Sequence, residues 1–296
     1  MPPQELLLWV FCLVDDELQA LGLTNVRSRG PDPTLTDAEV ITIELVGEFW
    51  GLDADRALYR HFRAYHTPEF PKLAEVCRTS FVRQAANLWA VKQKLHRRLA
   101  DRLSAGQHVW LIDSFPLPVC QFARATFCQR FAGEADYGYD HCIKRTFYGF
   151  RVHLRTDRAG VIQDFQIAPA RAADKALLPE LAGGPETVGV GDRGYYSPEL
   201  AAELAGRGVK FLTPYLHKSK EPNPARAAML SAVRYRLETV NGQLAERYRG
   251  KRTWARDLWH LTHRVTRKVL SHTVMVWIAR HHGHHTLSFD NLQLAA

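Results

Sequence analysis

The sequence predicts an α/β protein: a mixed five-stranded sheet flanked by helices and preceded by an all-helical N-terminal region. Three observations carry that expectation. Residues 1–104 hold helical periodicity alone. From His108 onward, short runs rich in β-formers alternate with helical segments. Two of those runs, His108-Val109-Trp110-Leu111-Ile112 and Thr187-Val188-Gly189-Val190-Gly191, lead straight into an aspartate, Asp113 and Asp192.

Glu5 to Leu21 reads as an amphipathic helix stopped near Gly22, followed by a loop with Arg27, Arg29, Gly30, Pro31 and Pro33. Thr36-Asp37-Ala38-Glu39 has the Thr-x-x-Glu spacing of a capping box, in which the two side chains satisfy free amides at a helix start. The helix it opens runs to about Trp50, and Gly51 ends it. A short helix from Asp53 or Asp55 through Tyr65 follows, then one from Thr79 or Ser80 to about Leu103. The last is basic, carrying Arg83, Lys92, Lys94, Arg97, Arg98 and Arg102. Short helices with one basic member suit a helix-turn-helix-like DNA-binding module, with Arg83 and Lys94 as candidate phosphate contacts. A helical cap over the following domain is the plainer alternative.

The first strand is expected over His108–Asp113, with Pro116 helping to end it because proline donates no ladder hydrogen bond. Thr146 to Arg155 alternates, with Phe150, Val152 and Leu154 on one side and Arg151, His153 and Arg155 on the other. A turn over Asp157–Gly160 and a strand over Val161–Ile167 make it a hairpin. Then come a short helix over Lys175–Leu181, a strand over Val188–Asp192, a helix from Ser197 to Gly206 and a strand over Val209–Pro214. A polar loop with Pro222 and Pro224 leads to a long helix over about Ala225–Arg249. Another, from Asp257 to about Arg280, precedes a His-rich tail. The division expected is a helical region 1–104, a catalytic domain 105–252, and a C-terminal segment 253–296 packed on that domain.

Composition fits a folded core: 46% hydrophobic and 24% charged residues. No apolar run approaches the roughly 18 residues that cross a bilayer, and nothing resembles a signal peptide. Five cysteines without an even framework fit reduced thiols in a cytoplasmic compartment. The net charge is +8, and Arg226–Lys268 alone holds eleven Lys/Arg against Glu238, Glu246 and Asp257, a surplus equal to that of the whole chain. So one-signed a stretch favours a polyanionic partner, with Arg234, Arg247, Arg249, Lys251 and Arg252 as candidate DNA contacts.

Asp113 and Asp192 on strand ends and Glu238 on the long helix form the candidate chemistry. Phosphoryl transfer needs negative charge spread and an oxygen nucleophile activated, which two divalent ions about 3.5–4 Å apart accomplish. Mg²⁺, with Mn²⁺ as its substitute, takes a few carboxylates while keeping water and substrate oxygens. Each acid also has a plain reading: Asp113 as a turn cap, Asp192 as a strand-end residue, Glu238 as the i,i+4 ion-pair partner of Arg234. Cys120, Cys128, His141 and Cys142 invite a zinc reading but lack paired Cys-x-x-Cys spacing. His281-His282-Gly283-His284-His285 suggests adventitious metal binding only. Arg124, Lys144, Arg145 and Arg193 flank the acids in sequence as candidate phosphate contacts. Trp254 and Trp259 could stack on an unpaired base, although core packing is the first expectation for Trp259.

The order of elements resembles the ribonuclease-H-like fold, in which the first and fourth strands are neighbours. The segments Leu111-Ile112-Asp113-Ser114-Phe115-Pro116-Leu117-Pro118-Val119-Cys120, Gly191-Asp192-Arg193-Gly194-Tyr195 and Arg234-Tyr235-Arg236-Leu237-Glu238-Thr239 resemble the signatures of DDE transposases from bacterial insertion sequences, most closely the insertion sequence 982 family. The resemblance implies that Asp113, Asp192 and Glu238 hold two Mg²⁺ ions. It implies binding to terminal inverted repeats of double-stranded DNA, end cleavage and joining of the 3′-hydroxyl to target DNA, with a homodimer in the synaptic complex. A nuclease without strand transfer and a catalytically silent DNA-binding protein are the alternatives. The chain departs from related families in holding Ser231 and Ala245 where they place a tyrosine and a lysine.

Overall fold

The computed structural model describes residues 1–23, 31–215, 223–252 and 254–292. The expected loop residues Arg27, Arg29 and Pro222 lie outside the described residues. Nine α-helices are described: α1 (Pro3–Ala20), α2 (Asp37–Phe49), α3 (Asp55–Tyr65), α4 (Arg78–Asn87), α5 (Trp89–Leu103), α6 (Leu178–Leu181), α7 (Pro198–Gly206), α8 (Pro224–Glu246) and α9 (Leu258–His281). The strands are β1 (Val109–Gln121), β2 (Asp136–Asp140), β3 (Arg145–Asp157), β4 (Ile162–Pro169), β5 (Thr187–Gly191) and β6 (Val209–Leu212). The chain forms two compact units, Met1–Leu99 with Leu244–Ala296, and Ala100–Gln243. The division expected from sequence is corrected here: α9 and the tail share a unit with the N-terminal helices, and residues from Leu244 onward leave the sheet unit.

In the helical unit the capping box forms as expected. The Thr36 hydroxyl accepts the Glu39 N–H at 3.1 Å, and the Glu39 carboxylate accepts the Thr36 N–H at 2.7 Å. The helix it opens is buried on nearly every side. Its two internal acids, Glu44 and Glu48, are answered by Arg267 and Lys268 of α9 and Lys92 of α5, all of them buried. Buried charges persist only when paired in this way. The single basic helix expected to end near Leu103 is two, α4 and α5, broken at Leu88.

In the sheet unit the strand order is β2-β3-β1-β5-β6, with β4 beside β3. The sheet therefore has six strands rather than five. β2 and β4 share one edge of β3, opposite Arg145–Gly149 and Phe150–Thr156 respectively. β1 and β5 run parallel and adjacent, the arrangement expected of a ribonuclease-H-like order. Trp110 and Ile112 pack on one face with Leu178, Leu181 and Leu204, which are carried by α6 and α7. Leu111 and Val190 pack on the other with Leu230 and Leu237 of α8. That split follows from the period-two alternation of a strand.

The first strand does not end at Pro116 but continues to Gln121 against β3. Beyond Ile112 it has a neighbour on one edge only. Residues 116 and 118 point the same way along the ladder, so both missing N–H groups can face the open edge. Gly149 lies opposite Pro118, where an added Cβ would come within 2.4 Å of the Leu117 carbonyl oxygen. No described helix is long and apolar enough to cross a membrane.

Candidate active site

Register brings the two aspartates side by side, Asp113 inside β1 and Asp192 just after β5. Ile112 lies opposite Gly191 on the parallel pair, so Asp113 and Asp192 are the next residues along each strand. Asp113 Oδ1 accepts the Ser114 N–H at 2.8 Å, and Oδ2 accepts Asn241 Nδ2–H at 2.9 Å. Burial and then the charge of Asp192 push the Asp113 carboxyl up to about 7, although Ser114 N–H and Arg234 act against that rise. Asp192 turns the chain into a short 3₁₀ helix, Arg193–Tyr195, by accepting the Gly194 N–H at 2.9 Å. Its carboxyl is raised as well, by burial and then by the charge of Asp174.

Asp174 is the residue that sequence reasoning missed. It opens the 3₁₀ turn Asp174–Leu177 after β4, where its Oδ1 accepts the Ser114 hydroxyl at 3.0 Å. A Cβ added to Gly194 would lie 2.8 Å from Asp174 Oδ2, so glycine there leaves room for the carboxylate. Arg151 Nη1 donates to Ser114 Oγ at 3.3 Å and Nη2 to the Tyr139 carbonyl at 2.7 Å. Fully buried His153, opposite Ser114 in register, has Nδ1 3.1 Å from the Tyr195 hydroxyl and 3.8 Å from Asp174 Oδ1. Burial, followed by the charge of Arg151, lowers its pKa to about 4, so the ring is neutral near pH 7. His153 stands between Arg151 and Arg155 on the polar side of the alternation, so its burial had no signal in the sequence, and the place of Asp174 depends on register that composition does not reveal.

The long helix α8 contributes Arg234, Glu238 and Asn241, spaced by four and three residues and so on one stripe. Arg234 favours the ionised forms of Asp113 and Asp192. The expected ion pair between Arg234 and Glu238 does not form: Glu238 is exposed, with no hydrogen-bond or ion-pair partner among the described residues. The Asn241 side-chain oxygen is buried without a partner.

A hard divalent ion such as Mg²⁺ prefers oxygen donors, and it relieves repulsion between neighbouring carboxylates. Asp113 and Asp192 fit that requirement, and the unpartnered Asn241 oxygen is of the same chemistry. Among the described residues no three His, Cys, Asp or Glu side chains come together as a metal-holding group, so Glu238 is not drawn up to the aspartate pair.

The remaining candidates are spread more widely. Arg193 is exposed next to Asp192, and Arg124, Lys144 and Arg145 are exposed elsewhere in the sheet unit. Arg83, Lys94, Arg247, Arg249, Lys251 and Arg252 all belong to the helical unit. Arg264, Arg267 and Lys268, counted above in the basic stretch, are buried against acids and cannot face a polyanion. All five cysteines are free. Cys120 and Cys128 adjoin, and burial followed by the Cys128 contact pushes the Cys120 thiol up to about 11, opposite to what a metal ligand needs. Trp259 is 38% exposed, not the core residue expected.

The family model described as a transposase DDE domain matches residues 103–257, just over half of the chain and the whole of the aspartate site. No curated protein and no solved structure was found to match.

Proposed function

The chain belongs to the transposase DDE domain family, and from that premise we propose that it is a metal-dependent DNA transposase of a bacterial insertion sequence, most similar to the insertion sequence 982 family. It binds the terminal inverted repeats of its element, cleaves the ends and joins the 3′-hydroxyl to target DNA. The observation that carries this reading is the apposition of Asp113 and Asp192 on adjacent parallel strands, with the Asp113 carboxyl raised to about 7.

Asp113 and Asp192 would hold a shared Mg²⁺ or Mn²⁺, with Glu238 completing a second site when DNA is bound. Bound there, the ions would polarise the scissile phosphate and make the attacking oxygen more nucleophilic. The protein's own residues do the positioning. Ser114 N–H and Asn241 Nδ2–H each hold one oxygen of Asp113 and so set the plane of its carboxylate. Arg234, near both aspartates and not paired with Glu238, is free to clamp a phosphate beside them. Exposed Arg193 extends that positive charge along the approach. Two DNA ends held together call for a homodimer.

The test is end cleavage by the purified protein on a duplex carrying the inverted repeats that flank its coding region. Asp113→Asn, Asp192→Asn and Glu238→Gln should each abolish Mg²⁺-dependent cleavage while leaving duplex binding largely intact. Substantial cleavage by any one of them removes that residue from the site.

A further inference from the structure

The helical unit contains a cleft of about 790 Å³ that the aspartate site does not use. Trp50, His61, Tyr65 and His66 line it from α2, α3 and the turns beside them, and Arg247 and Arg249 line it from the segment after α8. The aromatic part is layered. Phe62 and His66 stack on Trp50 at 5.7 Å and 5.2 Å, and they lie only 5.1 Å from each other. Rings on opposite faces of an indole would be about twice as far apart, so both cover the same face. Among the described residues no further ring stacks on Trp50, which is only partly buried. Tyr65, in contact with His61 at 5.1 Å, stands 72% exposed at the cleft.

The cationic part lies against this platform. Gly51, in the left-handed region at φ +76°, follows Trp50 directly, and a Cβ there would lie 3.8 Å from Arg249 Nε. The Arg249 guanidinium therefore lies beside the indole's own backbone. Its ion pair with Asp53 is loose, at 3.6 Å, and its side chain is half exposed. The Arg247 guanidinium lies over Phe49 and Phe289, 5.2 Å and 5.8 Å from their ring centres, and those two rings meet edge to face at 6.1 Å. A second cavity of about 330 Å³ shares Arg249 and Glu246 with the first and adds Lys251 and Arg252. A ring platform thus leads into a short run of cations.

We propose that this cleft receives an unpaired, phosphate-bearing nucleotide of DNA: the base stacks on Trp50 and Tyr65, and its phosphates follow Arg247, Arg249, Lys251 and Arg252. Stacking platforms joined to basic grooves are the physical means of holding single strands, since every base has a π-face. Inside a duplex both faces of a base are covered by its stacked neighbours, which excludes the interior of an intact duplex from the platform. Glu246, the carboxylate that both cavities share, repels phosphate but is outnumbered in the second cavity by Arg249, Lys251 and Arg252. The choice of DNA as the source rests on the transposase reading; the stacking site does not.

The experiment uses the full chain, a 5′-phosphorylated trinucleotide with 2-aminopurine at its centre, and separately a blunt duplex. Stacking should quench 2-aminopurine on binding. Trp50→Leu should remove the quench and weaken binding about tenfold or more. Tyr65→Ala, at an exposed position that leaves the fold unaffected, should weaken it several-fold, and Arg249→Gln should flatten its salt dependence. Unquenched fluorescence with wild-type protein, or equal affinity for wild type and Tyr65→Ala, overturns the proposal. Blunt-duplex binding and end cleavage without trinucleotide binding would defeat the cleft alone. Quenched trinucleotide without end cleavage would leave the cleft standing and defeat the catalytic reading.

Discussion

Asp113 lies inside β1, just past the end of its pairing with β5, where desolvation and the neighbouring charge of Asp192 both resist ionisation, and its carboxyl stands at about 7. In an unfolded chain an aspartate titrates near about 3.9. The folded state therefore keeps the proton more tightly. That preference stabilises the metal-free fold fully below about pH 3.9 and is lost as pH rises through about 7. Metal-free wild-type protein should lose melting temperature between pH 4 and pH 8, and Asp113→Asn should lose less, since an amide carries no charge. Mg²⁺ added at pH 8 should raise the wild-type melting temperature and leave that of the variant unchanged. Parallel pH profiles for the two proteins would show that Asp113 titrates normally. Asp174→Asn keeps an acceptor for the Ser114 hydroxyl while removing a negative charge that raises both aspartates. It should move the Asp113 titration, followed by carboxyl NMR, toward lower pH.

The helix α8 has two faces with different tasks. Leu230 and Leu237, seven residues apart, pack on Leu111 and Val190 of the two aspartate-bearing strands, while Arg234, Glu238 and Asn241 form a second stripe. An exposed Arg234–Glu238 pair would have been worth about 0.3–0.5 kcal/mol, and it does not form. Arg234→Ala should therefore leave the melting temperature nearly unchanged but cut end cleavage sharply, because misplacing a reacting phosphate by ~1 Å can cost about a hundredfold. Normal cleavage with a lowered melting temperature would make Arg234 a structural residue. Elements whose local pattern agreed with their surroundings were legible in advance. β1 and β5 announce themselves as apolar runs ending in aspartate, and α2 by its capping box. β2, Asp136-Tyr137-Gly138-Tyr139-Asp140, was not legible, because glycine and aspartate disfavour strands and its pairing with β3 overrides that preference. Nor were Asp174 and Asn241, whose places depend on the return of β4 and on the seating of α8 across the sheet.

At the scale of the whole chain, sequence neighbours and structural partners part company. The sheet unit is inserted within the helical one, whose two pieces are joined by charge as much as by apolar packing. Arg267 is 1% exposed and bonds Glu44, Glu48 and Asp55. Burial would raise the Glu48 carboxyl, yet Arg267 and Lys268 outweigh it and hold it below its ordinary value. Continuum reasoning says that such a layer adds little net stability, whereas removing one member leaves a buried charge unanswered at a cost of roughly 3–5 kcal/mol. Arg267→Met, similar in volume and without charge, should therefore destabilise the helical unit by about that amount. Removing Glu48 as well, in Arg267→Met with Glu48→Gln, should deepen the loss, because Lys268, 2.7 Å from Glu48, is then a buried cation facing an amide. Tryptophan fluorescence during urea unfolding reads this directly, since Trp110 alone lies in the sheet unit and the other six tryptophans lie in the helical one. A single variant as stable as wild type would mean that solvent reaches the layer, and a double variant no worse than the single would mean that shape, not charge, joins α9 to α2.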